Sequence, residues 1–304
     1  MTPVTIEELF AKTRQLPVVP RVLQELLLSF NNTRLRTDDL AQLILSDPVI
    51  CSRLLRLANS ARYHAPQAVS TVHQAVQMLG LVNVRSLVIS MGLVGSFANL
   101  PVELLRPFWQ HSLHTATLAR CWASHPQLDA ELAYTLGLLR GLGQLVMRLG
   151  LGTEMRTLDA QVEPFSPARL QLERELLGYN YADVGAELVH RWDFPALFAQ
   201  VIGLVGTGVS EDSAVPGPNP AQLDSHQSAE AAQSNSHVAS LAALIELAAW
   251  QAWASQQQLS ADELAALWPV ELAQRLQMPA WTERQHLAPE SSLDEVLQDL
   301  LTWP

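Results

Sequence analysis

The pattern of apolar residues across residues 135–149 is that of a buried helix. Leucine and valine side chains recur there at spacings of three and four residues, so they form one wide face of a helix with 3.6 residues per turn. Arg140, Gly141 and Gly143 interrupt this face. Because glycine inside a helix costs about 1 kcal/mol relative to alanine, two glycines within one turn indicate a close approach by another helix or by a ligand.

The same periodicity covers most of the chain, and capping signals mark where its helices begin and end. Asp47-Pro48 is the clearest start, because aspartate caps a first turn and proline suits the first helical position. Gly80 is a predicted helix stop. Residues 84–90 are rich in β-branched side chains but keep helical spacing, so we expect a helix there as well. Nearly every ordered segment is predicted to be helical, which indicates an all-α fold.

Two stretches interrupt the helical pattern and suggest how the chain is divided. Leu100-Pro101 and Arg106-Pro107 predict a turn and a boundary between two lobes, because a residue before proline is pushed away from helical angles. Residues 207–236 are rich in Ser, Pro, Gly, Asn, Gln and Ala without an apolar period, which predicts a mobile insertion. Helical order is expected to resume at Val238.

Composition excludes several classes of function. The 304 residues carry a formal net charge of -11 and show no basic patch, so nucleic acid is not an expected partner. The two cysteines, Cys51 and Cys121, suit free thiols in a reducing compartment and offer no disulfide framework. We find neither a signal peptide nor an apolar run long enough to span a membrane. The expected protein is therefore soluble and cytoplasmic and contacts no membrane.

Several motifs follow one another in an order that is typical of a known family. They are LPVVPRVLQELL, DPVICSRLLRLANSARY, VSTVHQAVQMLG, FWQHSL, LGLLRGLG and ELLGYNYADVGAELVHRWDFP. Together, over about residues 14–206, they resemble the HDOD family, the HD-related output domain of bacterial signalling proteins. The resemblance implies two helical lobes, the second similar to the HD-domain metal phosphohydrolases. We expect residues 1–105 to form the N-terminal lobe and residues 106–206 the HD-like lobe. Residues 207–237 would be a flexible insertion, and residues 238–304 would complete the HD-like lobe.

The resemblance also implies where a metal site would lie. HD phosphohydrolases hold one or two divalent cations with a histidine, an adjacent His-Asp pair and a later aspartate, and the cation activates a water molecule for attack on phosphorus. His111 stands at the first histidine, and Tyr181 stands where many relatives carry another histidine. Arg140-Gly141 replaces the His-Asp pair. Because ligands are lost and Arg140 adds a permanent positive charge, we expect no metal, no cofactor and no phosphohydrolase activity.

The residues of this degenerate pocket, His111, Arg140, Gly141 and Tyr181, allow more than one interpretation. His111 and His114 lie one turn apart and could be a remnant binding pair, or they could be core-edge histidines with ordinary hydrogen bonds. Arg140 could hold a phosphate or a carboxylate through two parallel hydrogen bonds. It could equally pair with an acidic neighbour or reach solvent.

The expected function is that of a non-catalytic signalling or scaffold module, a pseudoenzyme that binds other proteins. The resemblance implies a kinase, a receiver domain or a cyclic-dinucleotide enzyme as the partner, and Asn59 and Arg62 form a candidate partner surface. The alternative is a small-molecule sensor that binds a nucleotide or another anion in the vacated pocket. A remote alternative is a phosphohydrolase with a rearranged metal site.

Overall fold

The computed structural model describes residues 4–13, 17–31, 36–60, 68–124, 127–205, 225–257 and 259–278. Within these ranges every regular element is a helix, which confirms the predicted all-α fold. The contacts divide the chain into two compact units. We call residues 15–110 with 192–195 the N-terminal unit, and residues 1–14, 111–191 and 196–290 the C-terminal unit.

The described ranges contain sixteen α-helices and one 3-10 helix. In chain order they are α1 (Ile6–Lys12), α2 (Arg21–Leu28), a 3-10 helix (Ser29–Asn31), α3 (Thr37–Leu45), α4 (Pro48–Ala58), α5 (Val72–Leu79), α6 (Leu81–Ser96), α7 (Val102–Trp122), α8 (Ala130–Leu139), α9 (Leu142–Gly150), α10 (Gly152–Asp159), α11 (Arg169–Leu177), α12 (Tyr181–Arg191), α13 (Ala196–Leu204), α14 (Ser225–Ala254), α15 (Ala261–Leu267) and α16 (Val270–Arg275).

In the N-terminal unit, the predicted helix start and stop are both confirmed. The Asp47 side chain accepts hydrogen bonds from the backbone N–H groups of Val49 and Ile50, at 2.9 and 3.1 Å, and Pro48 is the first helical residue of α4. Gly80 has a φ of 82°, which glycine adopts readily, and it separates α5 from α6. Local chemistry therefore fixes where these helices begin and end.

The β-branched stretch at residues 84–90 lies in α6, the most buried helix of the N-terminal unit. Every residue from 86 to 94 is buried, and α2, α4 and α5 all pack on this helix. A helix that is covered on several sides has no polar face, which explains why its sequence is apolar almost all round. The prediction of a helix rather than a strand is confirmed.

The predicted turn at Arg106-Pro107 is wrong, because α7 runs through both residues without a break. Pro107 lies in the second turn of α7, where its missing N–H removes only the bond to the carbonyl of Glu103. Glu103 and Pro107 are both exposed, so water can donate a hydrogen bond to the Glu103 carbonyl. The division between the two units falls after Gln110, also within α7, and α1 is grouped with the C-terminal unit rather than with the N-terminal lobe expected from the sequence.

In the C-terminal unit, the long helix predicted up to residue 149 is divided in two. α8 ends at Leu139 and α9 begins at Leu142, so Arg140 and Gly141 form the connection. α12 packs on α9 and α13, while α14 packs on α8 and α13. Arg140 therefore lies at a break in the helical core of this unit.

α14 begins at Ser225, well before Val238, where order was expected to resume. The stretch that precedes Val238 contains Ala, Glu and Gln, which are strong helix formers, and the absence of an apolar period concealed that propensity. The remainder of the predicted insertion, residues 207–224, lies outside the described residues. Residues 279–304 also lie outside them.

No single helix in the described ranges combines the length and the apolarity needed to cross a membrane. α5 and α6 meet those criteria only when they are counted together, and the pair is bent by 116°.

Candidate functional site

The predicted degenerate pocket lies in the C-terminal unit, and the structure brings its three side chains together. His111 belongs to α7, Arg140 and Gly141 connect α8 to α9, and Tyr181 is the first residue of α12. The guanidinium carbon of Arg140 lies 5.3 Å from the centre of the Tyr181 ring. Arg140 is also close enough to His111 for its charge to act on the imidazole. Gly141 supplies only backbone, at the start of α9.

Two close helix contacts position Arg140. Gly137, three residues before it, faces α7, and a Cβ atom on this glycine would lie 2.7 Å from the Cα atom of Ala116. Gly143, three residues after it, faces α12, and a Cβ atom there would overlap the carbonyl oxygen of Tyr181. The glycines therefore serve tight helix packing. They bring α7 against the end of α8 and α12 against the start of α9, with Arg140 between the two contacts.

His111 is a neutral, buried histidine. It is 4% exposed, and its ring stacks on that of Phe165 with the centres 4.4 Å apart. Burial lowers the pKa of His111 well below its usual value, and the positive charges of Arg140 and His114 lower it further. Neither ring nitrogen has a hydrogen-bond partner among the described residues. The burial fits a core histidine, but the described residues do not supply the ordinary hydrogen bonds that were expected for it.

Arg140 faces an aromatic ring instead of an acidic neighbour. It is 8% exposed, and among the described residues no carboxylate lies within ion-pair distance of it. Burial raises the pKa of Tyr181 to about 12, although the charge of Arg140 opposes that shift. Tyr181 is therefore an un-ionised phenol that covers a buried cation. Among the described residues, the surroundings of Arg140 thus show neither the expected acidic partner nor the expected exposure to solvent.

A chain of charged side chains supports the start of α12. Arg169 and Glu173 are both fully buried and pair through Nε and Oε1 at 2.7 Å. Arg169 also contacts Asp159 at 2.9 Å, and Asp159 accepts from Arg148 at 2.7 Å. The second oxygen of Glu173 accepts from the backbone N–H of Tyr181 at 2.8 Å. Glu173 thus balances a buried arginine and stabilises the N-terminus of the helix that carries Tyr181.

In the N-terminal unit, the side chain of the candidate partner residue Asn59 makes internal hydrogen bonds. Its Oδ1 accepts from the backbone N–H of Val69 at 2.8 Å, and its Nδ2 donates to the carbonyls of Val69 at 2.7 Å and Leu55 at 2.8 Å. The amide thereby ties the segment before α5 to the end of α4. A role for Asn59 in partner binding stays a prediction, and Arg62 lies outside the described residues.

Replacing Asn59 with aspartate should destabilise the protein by about 1 to 3 kcal/mol, because two donated hydrogen bonds are lost and a carboxylate is placed against two carbonyl oxygens. Urea unfolding of the purified protein measures the change. Asn83→Asp is the matched control, since Asn83 is exposed and its Nδ2 donates to the carbonyl of Leu79, only four residues earlier in the chain. Equal losses for the two variants would contradict the internal role of Asn59.

Comparison with known proteins identifies the family. The model of the HDOD domain matches residues 16–205. The chain belongs to the HDOD family. A solved structure from Shewanella amazonensis, provisionally named a phosphohydrolase, is 24% identical with a TM-score of 0.60, and the match covers 97% of this chain and 93% of that chain. A protein from Marinobacter aquaeolei, provisionally named a signal transduction protein, is 21% identical with a TM-score of 0.62, and the match covers 97% of this chain and 59% of that chain. These likenesses establish the shared fold.

An uncharacterised protein from Treponema pallidum is 27% identical to this HDOD chain over 183 residues. The match covers 59% of this chain and 35% of the relative, so the chain spans about a third of the length of the curated relative that it matches.

HDOD proteins are related to HD phosphohydrolases. Within the part of the chain that the structure describes, no group of three His, Cys, Asp or Glu side chains converges closely enough to hold a metal ion. At the position where the resemblance puts the His-Asp pair, Arg140 adds a positive charge beside His111. A divalent cation there would be repelled by that charge.

Sequence reasoning missed four residues around this site: Arg169, Glu173, Thr115 and Phe165. Arg169 and Glu173 have the i,i+4 spacing of a helical ion pair, but the exposed pair of Glu187 and Arg191 has the same spacing, so burial was not readable from the pattern. Thr115 lies one turn after His111 on the same face of α7, which was an available signal. Phe165 lies in a segment without helical periodicity, and no local signal places it against His111.

Proposed function

We propose that this HDOD protein is a non-catalytic regulatory module of bacterial signal transduction that acts by binding other proteins. The observation that carries the proposal is the burial of Arg140 against Tyr181, at the place where the resemblance puts the His-Asp pair. Family membership supports a role in signalling, and one solved relative carries the provisional name of a signal transduction protein.

The accessibility of the site supports the absence of catalysis. A metal-dependent phosphohydrolase must admit a phosphorylated substrate and a water molecule to the same place. His111, Arg140 and Tyr181 are 4%, 8% and 2% exposed, so a phosphate ester would have to enter a buried cluster. This burial disfavours the access of a substrate of that size together with its attacking water.

Protein partners are the proposed means of transmitting a signal. We propose a kinase, a receiver domain or a cyclic-dinucleotide enzyme as the partner class, following the resemblance of the motifs. The net charge of -11 favours surfaces that carry complementary positive charge over nucleic acid or an anionic membrane.

A test of catalysis and a test of binding together examine the proposal. Purified protein incubated with Mn²⁺, Mg²⁺ or Fe²⁺ should retain much less than one metal equivalent and should not hydrolyse bis(p-nitrophenyl) phosphate or a cyclic dinucleotide. Retention of about one equivalent, with turnover that is lost in His111→Ala, would show a working metal site and overturn the non-catalytic part.

For the binding test, tagged protein is used as bait in its native host, and captured proteins are quantified by mass spectrometry. A kinase, receiver or cyclic-dinucleotide enzyme should be enriched and should then bind the purified protein in calorimetry. Arg140→Ala and a deletion of residues 208–224 serve as comparison baits, and they report whether the buried cluster or the segment before α14 contributes. If no protein of these classes binds the purified chain, the interaction part is refuted.

A further inference from the structure

The buried cluster contains polar atoms that have no hydrogen-bond partner among the described residues. They are both ring nitrogens of His111, the hydroxyl oxygen of Thr115 and Nε of Arg140, and the three residues are 4%, 1% and 8% exposed. A buried polar group without a partner is costly, and native proteins contain few of them. Several in one cluster indicate that another molecule pairs with them.

Helix geometry places two of these groups on one face of α7. His111 and Thr115 are four residues apart on α7 and therefore share one face of that helix. Ala116, the residue after Thr115, contacts Gly137 of α8, and Arg140 follows Gly137 by about one turn. The lowered pKa of His111, to which Arg140 contributes, shows that the guanidinium lies near the imidazole.

We propose that His111, Thr115 and Arg140 form a buried binding site for a small monovalent oxyanion of the carboxylate or nitrate type. A guanidinium presents Nε and a terminal nitrogen as parallel donors, which match two oxygens of a planar anion. The Thr115 hydroxyl and the N–H of the neutral His111 ring are the further donors. This proposed site does not depend on the proposed protein-binding function. It adds a small-molecule ligand to the proposed properties of the protein.

Charge and space select the class of anion. Arg140 supplies one permanent positive charge, while neutral His111 and Thr115 supply none. A second negative charge on the ligand would therefore be buried without a balancing cation, which disfavours a phosphate dianion. The burial of all three side chains restricts the ligand to a few heavy atoms, as in formate or nitrate.

Phe165 lies over the histidine side of the cluster. Its ring stacks on His111 and is half-buried, and it belongs to the segment between α10 and α11. The preceding carbonyl, of Pro164, accepts from the buried Gln144 side chain at 2.6 Å. An anion that approaches His111 from that side would displace the Phe165 ring. The hydrogen bond from Gln144 would meanwhile keep the backbone of Pro164 in place.

Isothermal titration of the full chain with sodium formate and with sodium nitrate tests the site. Ionic strength is held constant with sodium gluconate, whose anion is too large to enter. Wild type should show saturable binding with about one site per chain. Thr115→Val should fold normally, because it removes an unpaired hydroxyl, and should bind about tenfold more weakly since a hydrogen bond to a charged group is lost. Arg140→Lys keeps the charge but loses the parallel donors, so a similar weakening is expected.

Thr135→Val is the matched control, because Thr135 is also buried in the C-terminal unit but its hydroxyl already donates to the carbonyl of Glu131 at 2.9 Å. Its affinity for formate should equal that of wild type. The proposal is overturned if wild type shows no saturable binding of formate or nitrate, or if either Thr115→Val or Arg140→Lys binds as tightly as wild type. Tighter binding of inorganic phosphate than of both monoanions would also overturn it.

Discussion

Replacing Arg169 with methionine is expected to destabilise the protein by about 3 to 5 kcal/mol, because the fully buried carboxylate of Glu173 loses its balancing charge. Urea unfolding measures the loss. Arg191→Met removes an arginine from the same i,i+4 pairing at the surface, where Glu187 stays hydrated, and it should cost about 0 to 1 kcal/mol. Similar losses for the two variants would mean that the buried Arg169–Glu173 pair contributes no more to stability than the exposed Arg191–Glu187 pair.

The same variant should also change the pH dependence of stability. Burial raises the pKa of Glu173 above its usual value, and Arg169 opposes that shift, so the pKa rises further when Arg169 is removed. A carboxyl group with a raised folded-state pKa binds its proton more readily in the folded protein, so its contribution is lost as the pH rises through that pKa. Arg169→Met should therefore lose stability more steeply than wild type as the pH rises above the ordinary pKa of a glutamate. Adding Glu173→Gln to Arg169→Met should remove the extra slope, and a slope that persists would contradict this assignment.

Gly143→Ala is the second change with a large expected effect, a loss of about 3 kcal/mol or more. Its new methyl group would overlap the carbonyl oxygen of Tyr181 and lie 2.7 Å from the backbone nitrogen of Gly185, and neither backbone atom can move without separating α9 from α12. Thermal and urea unfolding of the purified variant measure the loss.

Gly152→Ala is the matched control for that substitution. A Cβ atom on Gly152 meets nothing within 4 Å, and the residue begins α10, so alanine should be neutral or should stabilise by up to about 1 kcal/mol. If Gly143→Ala were as stable as Gly152→Ala, the close α9–α12 contact would have to be looser than the structure indicates.

Local chemistry predicted those parts of the fold that depend on neighbouring residues in the chain. The start of α4 at Asp47-Pro48 and the stop at Gly80 follow from capping and from glycine geometry, and both were readable from the sequence. The course of α7 through Pro107 was not readable, because a proline in an early, exposed turn loses only one hydrogen bond. The early start of α14 was not readable from an apolar period, because the first turns of that helix follow from intrinsic helix propensity.

The sequence predicted which residues form the candidate site, but it did not predict which contacts these residues make. The motif resemblance selected His111, Arg140 and Tyr181, and the structure brings them together. The pairing of Arg140 with an aromatic ring depends on which helices cross at Gly137 and Gly143, and sequence spacing alone gives no such contact. Asn59 shows the same limit, since its hydrogen bonds to Val69 reach across ten positions of the chain.

The grouping of α1 with the C-terminal unit affects how the chain should be divided for experiments. Leu9 and Phe10 of α1 are buried, and Leu9 lies against Gly150 at the end of α9. At the other end, Leu241 and Leu244 of α14 are fully buried where that helix packs on α8 and α13. A recombinant fragment trimmed to the family match at residues 16–205 would lack both helices. Such a truncation would expose leucine-rich faces to solvent, and poor behaviour of that fragment would reflect the choice of its ends rather than the properties of the protein.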